Sequence, residues 1–426
     1  MHRIKFIHAA DLHLDTPFTG LSQWNPELAG KLKNATFGSF DRIVRLCIDE
    51  EADFLLVAGD IFNSKNQSLA AQLKFVGGLQ TLADRGIPCY FVCGNHDPLS
   101  SWMTRLQLPP GVHRFGGKEV ETVTFRKNDR ALADIYGISF ETEAVTSNLA
   151  RKIIHSRMGK ADPAPFQLAL MHGTVGQAGP HKHYAPFSLE EVGGQKFDYW
   201  ALGHVHKRQV LRVQNPAVVY PGNPQGRDFG ETGSRGCCIV ELREGTAPDI
   251  RFAPTHTIRF EALEVELTNT ETIDAIPERI EDARRTLEDH DENINLVLRL
   301  ALKGQTALHA KLNEPGEAEQ LLQLLNEGQL NQEPFTWYDS IRLQTSPALN
   351  LESIRQGNDF PAEILKRAEA LAGDTAELDA FLKVAQEEFG NPQIRRELAE
   401  LSAAERAELV EKAKWMLLEY LSPEGE

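Results

Sequence analysis

The chain has 426 residues, 41% of them hydrophobic and 25% charged, with a formal net charge of −16. That length asks for two or three domains, the balance is that of an ordinary globular protein, and the acidic sum excludes a protein that coats nucleic acid by charge alone. No apolar run nears the ~20 residues of a membrane span, and five cysteines without a C-x-x-C pair argue against both a disulfide framework and a thiolate zinc site.

The opening segment, MHRIKFIHAADLHL, has no apolar leader and no small-residue cleavage site. It reads as a first strand, and the expected compartment is the cytoplasm. Five apolar runs follow one another at residues 4–10, 54–58, 89–93, 166–171 and 199–202. They stop abruptly at Asp11, Gly59-Asp60, Gly94-Asn95-His96-Asp97, His172 and Gly203-His204-Val205-His206. Runs without polar alternation suit strands buried on both faces. Helical patterns at 38–51 and 69–85 lie between them, so the first region is an α/β layered domain. In such sheets, sites form at the carboxyl ends of the strands. One histidine after a strand is usually a turn residue; five strand ends that all carry ligand-type residues are hard to explain by core packing. Short segments at 217–220 and 237–242 are expected as antiparallel strands that finish this domain. Between them runs the Gly-rich stretch Tyr220-Pro221-Gly222-Asn223-Pro224-Gln225-Gly226-Arg227.

A second unit reads as strand 258–267, helix 277–289, strand 294–302, helix 317–327 and strand 335–343, a small α/β domain. The expected domains are 1–256, 257–347 and 348–426, with Pro347 and Asn350 marking the second boundary. The last segment is helical and acidic. Residues 351–426 hold 9 Lys/Arg against 17 Asp/Glu, whereas residues 1–127 hold 14 against 13, so the first region need not repel a polyanion. Ser402-Ala403-Ala404-Glu405 matches a capping box for a helix to about Leu421, with Leu409, Ala413, Met416, Leu417 and Tyr420 on one face.

Hydrolysis of a phosphate ester is slow because anionic oxygens repel the nucleophile. Two divalent ions ~3.5–4 Å apart neutralise the phosphate, lower the pKa of a bridging water and stabilise the leaving oxygen. Holding them takes a shared carboxylate ringed by neutral imidazoles and oxygen donors, a set that suits manganese, iron or zinc. Asp11, His13, Asp60, Asn95, His172, His204 and His206 supply that set, with Asp60 as the natural bridge. His96, beside the Asn95 amide, is expected over the bound phosphate, where it can give a proton to the leaving oxygen, and Asp97 is expected to orient its imidazole. Arg227, with Asn223 and Gln225, either touches phosphate or belongs to a loop that supports the site. His181 and His183, flanking Lys182, read as a solvated loop rather than a substrate contact. His8 reads as a core histidine or a support for the ligands.

The ordered motifs D-x-H, G-D, G-N-H-D, H-G and G-H-x-H resemble the calcineurin-like metallophosphoesterases over about 200 residues. Within that superfamily the stretches HAADLHLDTPF, GDIF, DYWALGHVHKR, YPGNPQGR and FGE resemble the SbcD-type DNA repair nucleases, and more closely the YhaO branch. The resemblance implies a four-layer sandwich, a small α/β capping domain that contacts DNA, and a helical C-terminal segment that docks a partner. It assigns one ion to Asp11, His13, Asp60 and His206, the other to Asp60, Asn95, His172 and His204, and leaves His96 as the catalytic histidine that holds no metal. The implied activity is a manganese-dependent exo- or endonuclease of DNA end repair. The implied partners are DNA, an SbcC-type coiled-coil ATPase and a second copy of the chain. Asn63 stands where an aspartate is common, and Leu12 and Asp15 replace the usual Trp and Gly; these departures bear on substrate rather than on ligands. The competing functions are a phosphodiesterase for a small molecule or cyclic nucleotide, and a binding scaffold without turnover. The extra domain and the helical tail favour the nuclease, since a small substrate needs neither.

Overall fold

The apolar runs become the central strands of two six-stranded sheets in the computed structural model, which describes residues 2–18, 25–63, 67–101, 107–176, 184–194, 196–287, 294–388 and 390–421. In the first sheet β1 (Arg3–Ala9), β2 (Phe54–Ala58), β3 (Cys89–Val92) and β4 (Val112–Arg114) run parallel. The second sheet holds β5 (Glu121–Lys127), β6 (Arg130–Ile138), β7 (Phe166–His172), β8 (Tyr199–Gly203), β9 (Gln209–Arg212) and β10 (Ala217–Tyr220), in the order β5-β6-β7-β8-β10-β9. The chain then returns to the first sheet as antiparallel β11 (Gly236–Arg243) and β12 (Asp249–Pro254), giving the order β12-β11-β1-β2-β3-β4. Register decides where the turns fall. Ala9 pairs with Val57, Ala58 with Val92, and His172 with Gly203, so the carboxyl ends of β1, β2 and β3 lie level, as do those of β7 and β8.

Four layers follow from which face of each strand is apolar. On the outer face of the first sheet, Phe40, Ile43 and Cys47 of α1 (Pro26–Asp49) and Phe75, Leu79 and Leu82 of α2 (Leu69–Ala83) cover Ile7, Leu55, Val57 and Phe91. Between the sheets Phe6, Phe54, Leu56 and Val92 meet Ile135, Leu168, Tyr199 and Val219, with Phe6 stacked on Phe54 at 5.0 Å. The far face of the second sheet, including Tyr136 and Trp200, is covered by α3 (Leu149–Met158) and α4 (Leu189–Val192). Helix α1 starts twelve residues before the pattern at 38–51, with Asn25 capping the Glu27 and Leu28 N–H groups and Pro26 in the first turn. Its inward positions between Leu32 and Phe40, namely Ala35, Thr36 and Ser39, are small or polar, which interrupts the apolar period there.

The chain divides into two compact units, Met1–Ala262 with Asp291–Leu298 and Gly328–Asp339, and Leu263–His290 with Arg299–Glu327 and Ser340–Glu426. A three-stranded sheet, β13 (Ile258–Glu266), β14 (Asn295–Thr306) and β15 (Thr336–Pro347), contributes to both. In the first unit, Ile258, Phe260, Val297 and Phe335 pack with Phe18, Leu28 and Leu32. The second unit adds α5 (Ala275–Arg285), α6 (His309–Leu312), α7 (Glu317–Asn326) and five C-terminal helices. These are α8 (Leu351–Gln356), α9 (Phe360–Gly373), α10 (Thr375–Glu388), α11 (Pro392–Glu400) and α12 (Ala403–Leu421). The capping box at Ser402 and Glu405 forms, with both reciprocal hydrogen bonds. Helix α12 turns Val410, Lys414 and Leu418 inward, and Val410 joins Leu371, Leu378 and Leu382 in a small core. The face expected to be apolar therefore points outward, with Met416 69% and Tyr420 87% exposed.

Candidate metal centre

The level strand ends are knitted together by their own backbone. The Asp11 N–H donates to the Gly59 carbonyl and the His13 N–H to that of Asp60, both at 3.0 Å. Bending the chain back at each strand end puts Asp11, His13, Asp60 and His204 at φ of 52°, 43°, 48° and 102°. This left-handed region costs a non-glycine residue on the order of 1–3 kcal/mol. Two glycines make room for the side chains. Gly59 sits at φ 89°, and a Cβ there would fall 2.5 Å from His172 Nδ1. A Cβ on Gly94 would collide with Asp60 Oδ1.

Three groups of ligand atoms result, each with all members within 4.8 Å of one another: Asp11, His13 and His206; Asp60, His172 and His204; and His13, Asp60 and His96. Asn95 adjoins the second, its Oδ1 3.0 Å from His172 Nε2. The His172 ring is aimed by its Nδ1–H, which donates to the Ala58 carbonyl at 2.9 Å. His204 stands edge-on to His172 and to Tyr184, with ring centroids 5.1 and 5.4 Å apart. Asp11, His13, Asp60 and His172 are each at most 1% exposed.

That burial has a charge consequence. It pushes the Asp11 carboxyl well above the carboxylate range, and the nearby Asp60 charge adds to the shift. Burial pushes the His13 and His172 imidazoles down, which leaves them neutral. His13 Nε2 faces His206 Nε2 at 3.1 Å, and His172 Nε2 stands 3.4 Å from Asp60 Oδ2. Lone-pair nitrogens aimed at one another around two buried carboxylates form a donor set that divalent cations satisfy, so these residues fit a metal pair.

The remaining candidates divide. His96 donates its backbone N–H to Asp60 Oδ1, and its Nδ1 lies 2.9 Å from the Asn63 carbonyl, which holds the ring. Asp97, expected to orient that ring, is fully buried and accepts the N–H groups of Gly94 and Ile61, so it braces the turn. Asn223 and Gln225 are buried, and their side chains are engaged within the chain, Asn223 with Glu231 and Arg235, Gln225 with Thr257 and Ile258. Arg227 reaches the centre, with Nη2 2.9 Å from His206 Nδ1. His8 lies between the sheets with Nδ1 2.9 Å from the Tyr199 hydroxyl. His181, Lys182 and His183 fall outside the described residues. Sequence reasoning missed Glu231, whose Oε1 is 2.7 Å from His206 Nδ1. Its only signal was the FGE stretch beside the Gly-rich loop.

Residues 4–208 match the family model described as calcineurin-like phosphoesterase, and the chain belongs to that family. Residues 260–346 match a second model, the middle domain of the metallophosphoesterase YhaO. The metallophosphoesterase YhaO of Bacillus subtilis (strain 168) is 35% identical over 352 residues, which cover 82% of this chain and 84% of that protein. The SbcD component of the nuclease SbcCD from the same organism is 24% identical over 57% of this chain and 67% of its own length. The DNA double-strand break repair protein Mre11 of Methanosarcina mazei is 24% identical over 68% of this chain, a match that spans 43% of that protein. The chain is thus a phosphoester hydrolase of a family that uses divalent metals. Among the described residues no helix is long and apolar enough to cross a membrane.

Proposed function

We propose that this chain is a two-metal phosphodiesterase acting on DNA, an exo- or endonuclease of double-strand break or end repair that works in the cytoplasm with an SbcC-like coiled-coil ATPase. The observation that carries this reading is the meeting of Asp11, His13 and His206 with Asp60, His172 and His204 at level strand ends. Asp11, His13, Asp60 and His206 would hold one ion, and Asp60, Asn95, His172 and His204 the other. Bound there, two divalent ions, manganese before iron or zinc, supply the positive charge that neutralises a phosphate diester and activates water.

The side chains around them do the rest. His96, held through Nδ1 by the Asn63 carbonyl, presents Nε2 to the substrate. When the ring is cationic, that nitrogen gives its proton to the leaving oxygen. Arg227 offers guanidinium donors to a phosphate oxygen. Residues 1–256 form the nuclease domain in this reading, 257–347 the capping domain that contacts DNA, and 348–426 the segment that docks the partner. The YhaO-type middle domain and the helical tail favour a polymer substrate, and the names of the SbcCD and Mre11 relatives point the same way.

The test is a screen with Mn²⁺ on plasmid, single-stranded DNA and bis-p-nitrophenyl phosphate. Cleavage of DNA and of the chromogenic diester is expected. Hydrolysis of the diester with both DNAs intact would move the substrate to a small molecule or cyclic nucleotide. No turnover of any of the three would leave a binding scaffold.

A further inference from the structure

We propose that Glu231 is a positioning residue that prepares His206 to bind metal and holds Arg227 at the same centre; this rests on the two-metal reading above. Glu231 is 9% exposed and lies in the loop between β10 and β11. Its Oε1 stands 2.7 Å from His206 Nδ1. An imidazole against a carboxylate carries its proton on that nitrogen, which leaves the other one with a bare lone pair. For His206 the bare nitrogen is Nε2, the atom 3.1 Å from His13 Nε2 and so the one facing the centre.

The same carboxylate fixes the arm beside it. Oε2 accepts the Asn223 Nδ2–H at 2.7 Å and the Arg227 backbone N–H at 2.9 Å, while Oε1 accepts Arg227 Nη2–H at 2.7 Å. Arg227 Nη2 also lies 2.9 Å from His206 Nδ1. His206 Nδ1 cannot donate to Glu231 and accept from Arg227 at once. One proton therefore has two arrangements. With the proton on Nδ1 it goes to Glu231 and Nε2 is a ligand. With the proton on Nε2 it goes to His13, and Nδ1 accepts from Arg227. Glu231 selects the first, and in doing so frees an Arg227 N–H from His206 for a phosphate oxygen. Without the carboxylate nothing opposes the second arrangement, in which Nε2 carries the proton and is not free to bind a cation, and Arg227 is occupied.

The experiment is calorimetric titration of the full chain with Mn²⁺, beside kinetics on bis-p-nitrophenyl phosphate. Glu231→Ala should weaken one of two Mn²⁺ binding events by ~10–100-fold and leave the other in place. Glu231→Gln keeps an oxygen that can accept from His206 Nδ1–H, so it should recover much of that affinity. It should nonetheless raise KM, as Arg227→Ala does, because the charge that holds the guanidinium is gone. Equal weakening of both events together with a lower Tm would overturn the proposal and make Glu231 a support for its loop. Two unweakened events in Glu231→Ala would overturn it as well. If the unaltered chain itself shows fewer than two binding events, the two-metal reading fails first and takes this proposal with it.

Discussion

The His204 backbone N–H donates to both carboxylate oxygens of Asp11, at 2.9 and 3.1 Å. The two residues are 193 positions apart and follow strands of different sheets, so this contact ties the turn after β1 to the turn after β8. Each turn carries candidate ligands for the same centre. The tie satisfies a backbone donor but does not remove the cost of charging Asp11, which burial and the neighbouring Asp60 charge both raise. A divalent cation offsets that cost, and anything that binds only the folded chain stabilises it by mass action. Protein stripped with chelator should therefore melt lower than protein given Mn²⁺, by about 2.7 kcal/mol at a hundredfold excess over Kd. Scanning calorimetry across a Mn²⁺ series measures this, and a Tm independent of metal counts against it.

Turnover should follow the same series. Stripped protein should be inactive on bis-p-nitrophenyl phosphate and recover with Mn²⁺. Activity that persists after metal analysis confirms removal would rule out the two-metal reading.

His96→Ala should retain two metals per chain and lose about 10²–10⁴-fold in rate. Asp60→Ala should empty at least one site, because Asp60 is shared between ligand groups. His96 also lies within 4.8 Å of His13 and Asp60, so metal content measured beside rate decides between a proton donor and a ligand. A missing metal in His96→Ala would make it a ligand.

Asp134 gives a prediction away from the centre. Burial pushes its carboxyl up, but bonds from Lys160, Thr124, the Ala164 N–H and Gln167 outweigh that and hold it below the usual range. A lowered carboxyl contributes stability above its unfolded value of ~3.9, and loses it as pH falls through the lowered native value. Asp134→Asn leaves donors facing an amide, at a cost of about 1–3 kcal/mol at pH 7. The gap in melting temperature between the two proteins should narrow as pH drops below about 4. A constant gap down to pH 2 would contradict the argument.

The exposed face of α12 tests the proposed partner. Met416→Glu and Tyr420→Glu add charge where both side chains are solvated, so Tm should move by less than about 0.5 kcal/mol in equivalent stability. Hydrolysis of the chromogenic diester should be unchanged, while co-purification with an SbcC-like ATPase should be lost. Equal recovery of the ATPase by the altered and unaltered chains would refute docking through this face.

The convergence of the candidate ligands was legible in the sequence because each apolar run ends in a residue type that a buried turn does not otherwise favour. The layered α/β class was legible for the same reason, since strands buried on both faces leave no polar alternation. What the spacing could not show is contact made across the chain. Glu231 lies 25 residues beyond the histidine it touches, and nothing in periodicity links the two. The acceptor for His96 is a backbone carbonyl, that of Asn63, which no side-chain motif records. Adjacency in sequence suggests Asp97 as a partner for His96, whereas its carboxylate answers the N–H groups of the turn. The inward face of α12 is hidden in the same way, because Lys414 is inward and Met416 outward, the reverse of what polarity alone suggests.

Four of the seven candidate ligands sit at positive φ without being glycine. A glycine at His13 or His204 would relax the backbone, whereas at Asp11 or Asp60 it would also leave the His204 or His96 N–H without its acceptor. The metal-free chain should therefore part with the strained candidate histidines more readily than with the two carboxylates. A directed-evolution campaign that rewards heat resistance alone, in medium without divalent ions, would drift toward sequences that fold well and hydrolyse nothing. Only selection with metal supplied would keep both properties.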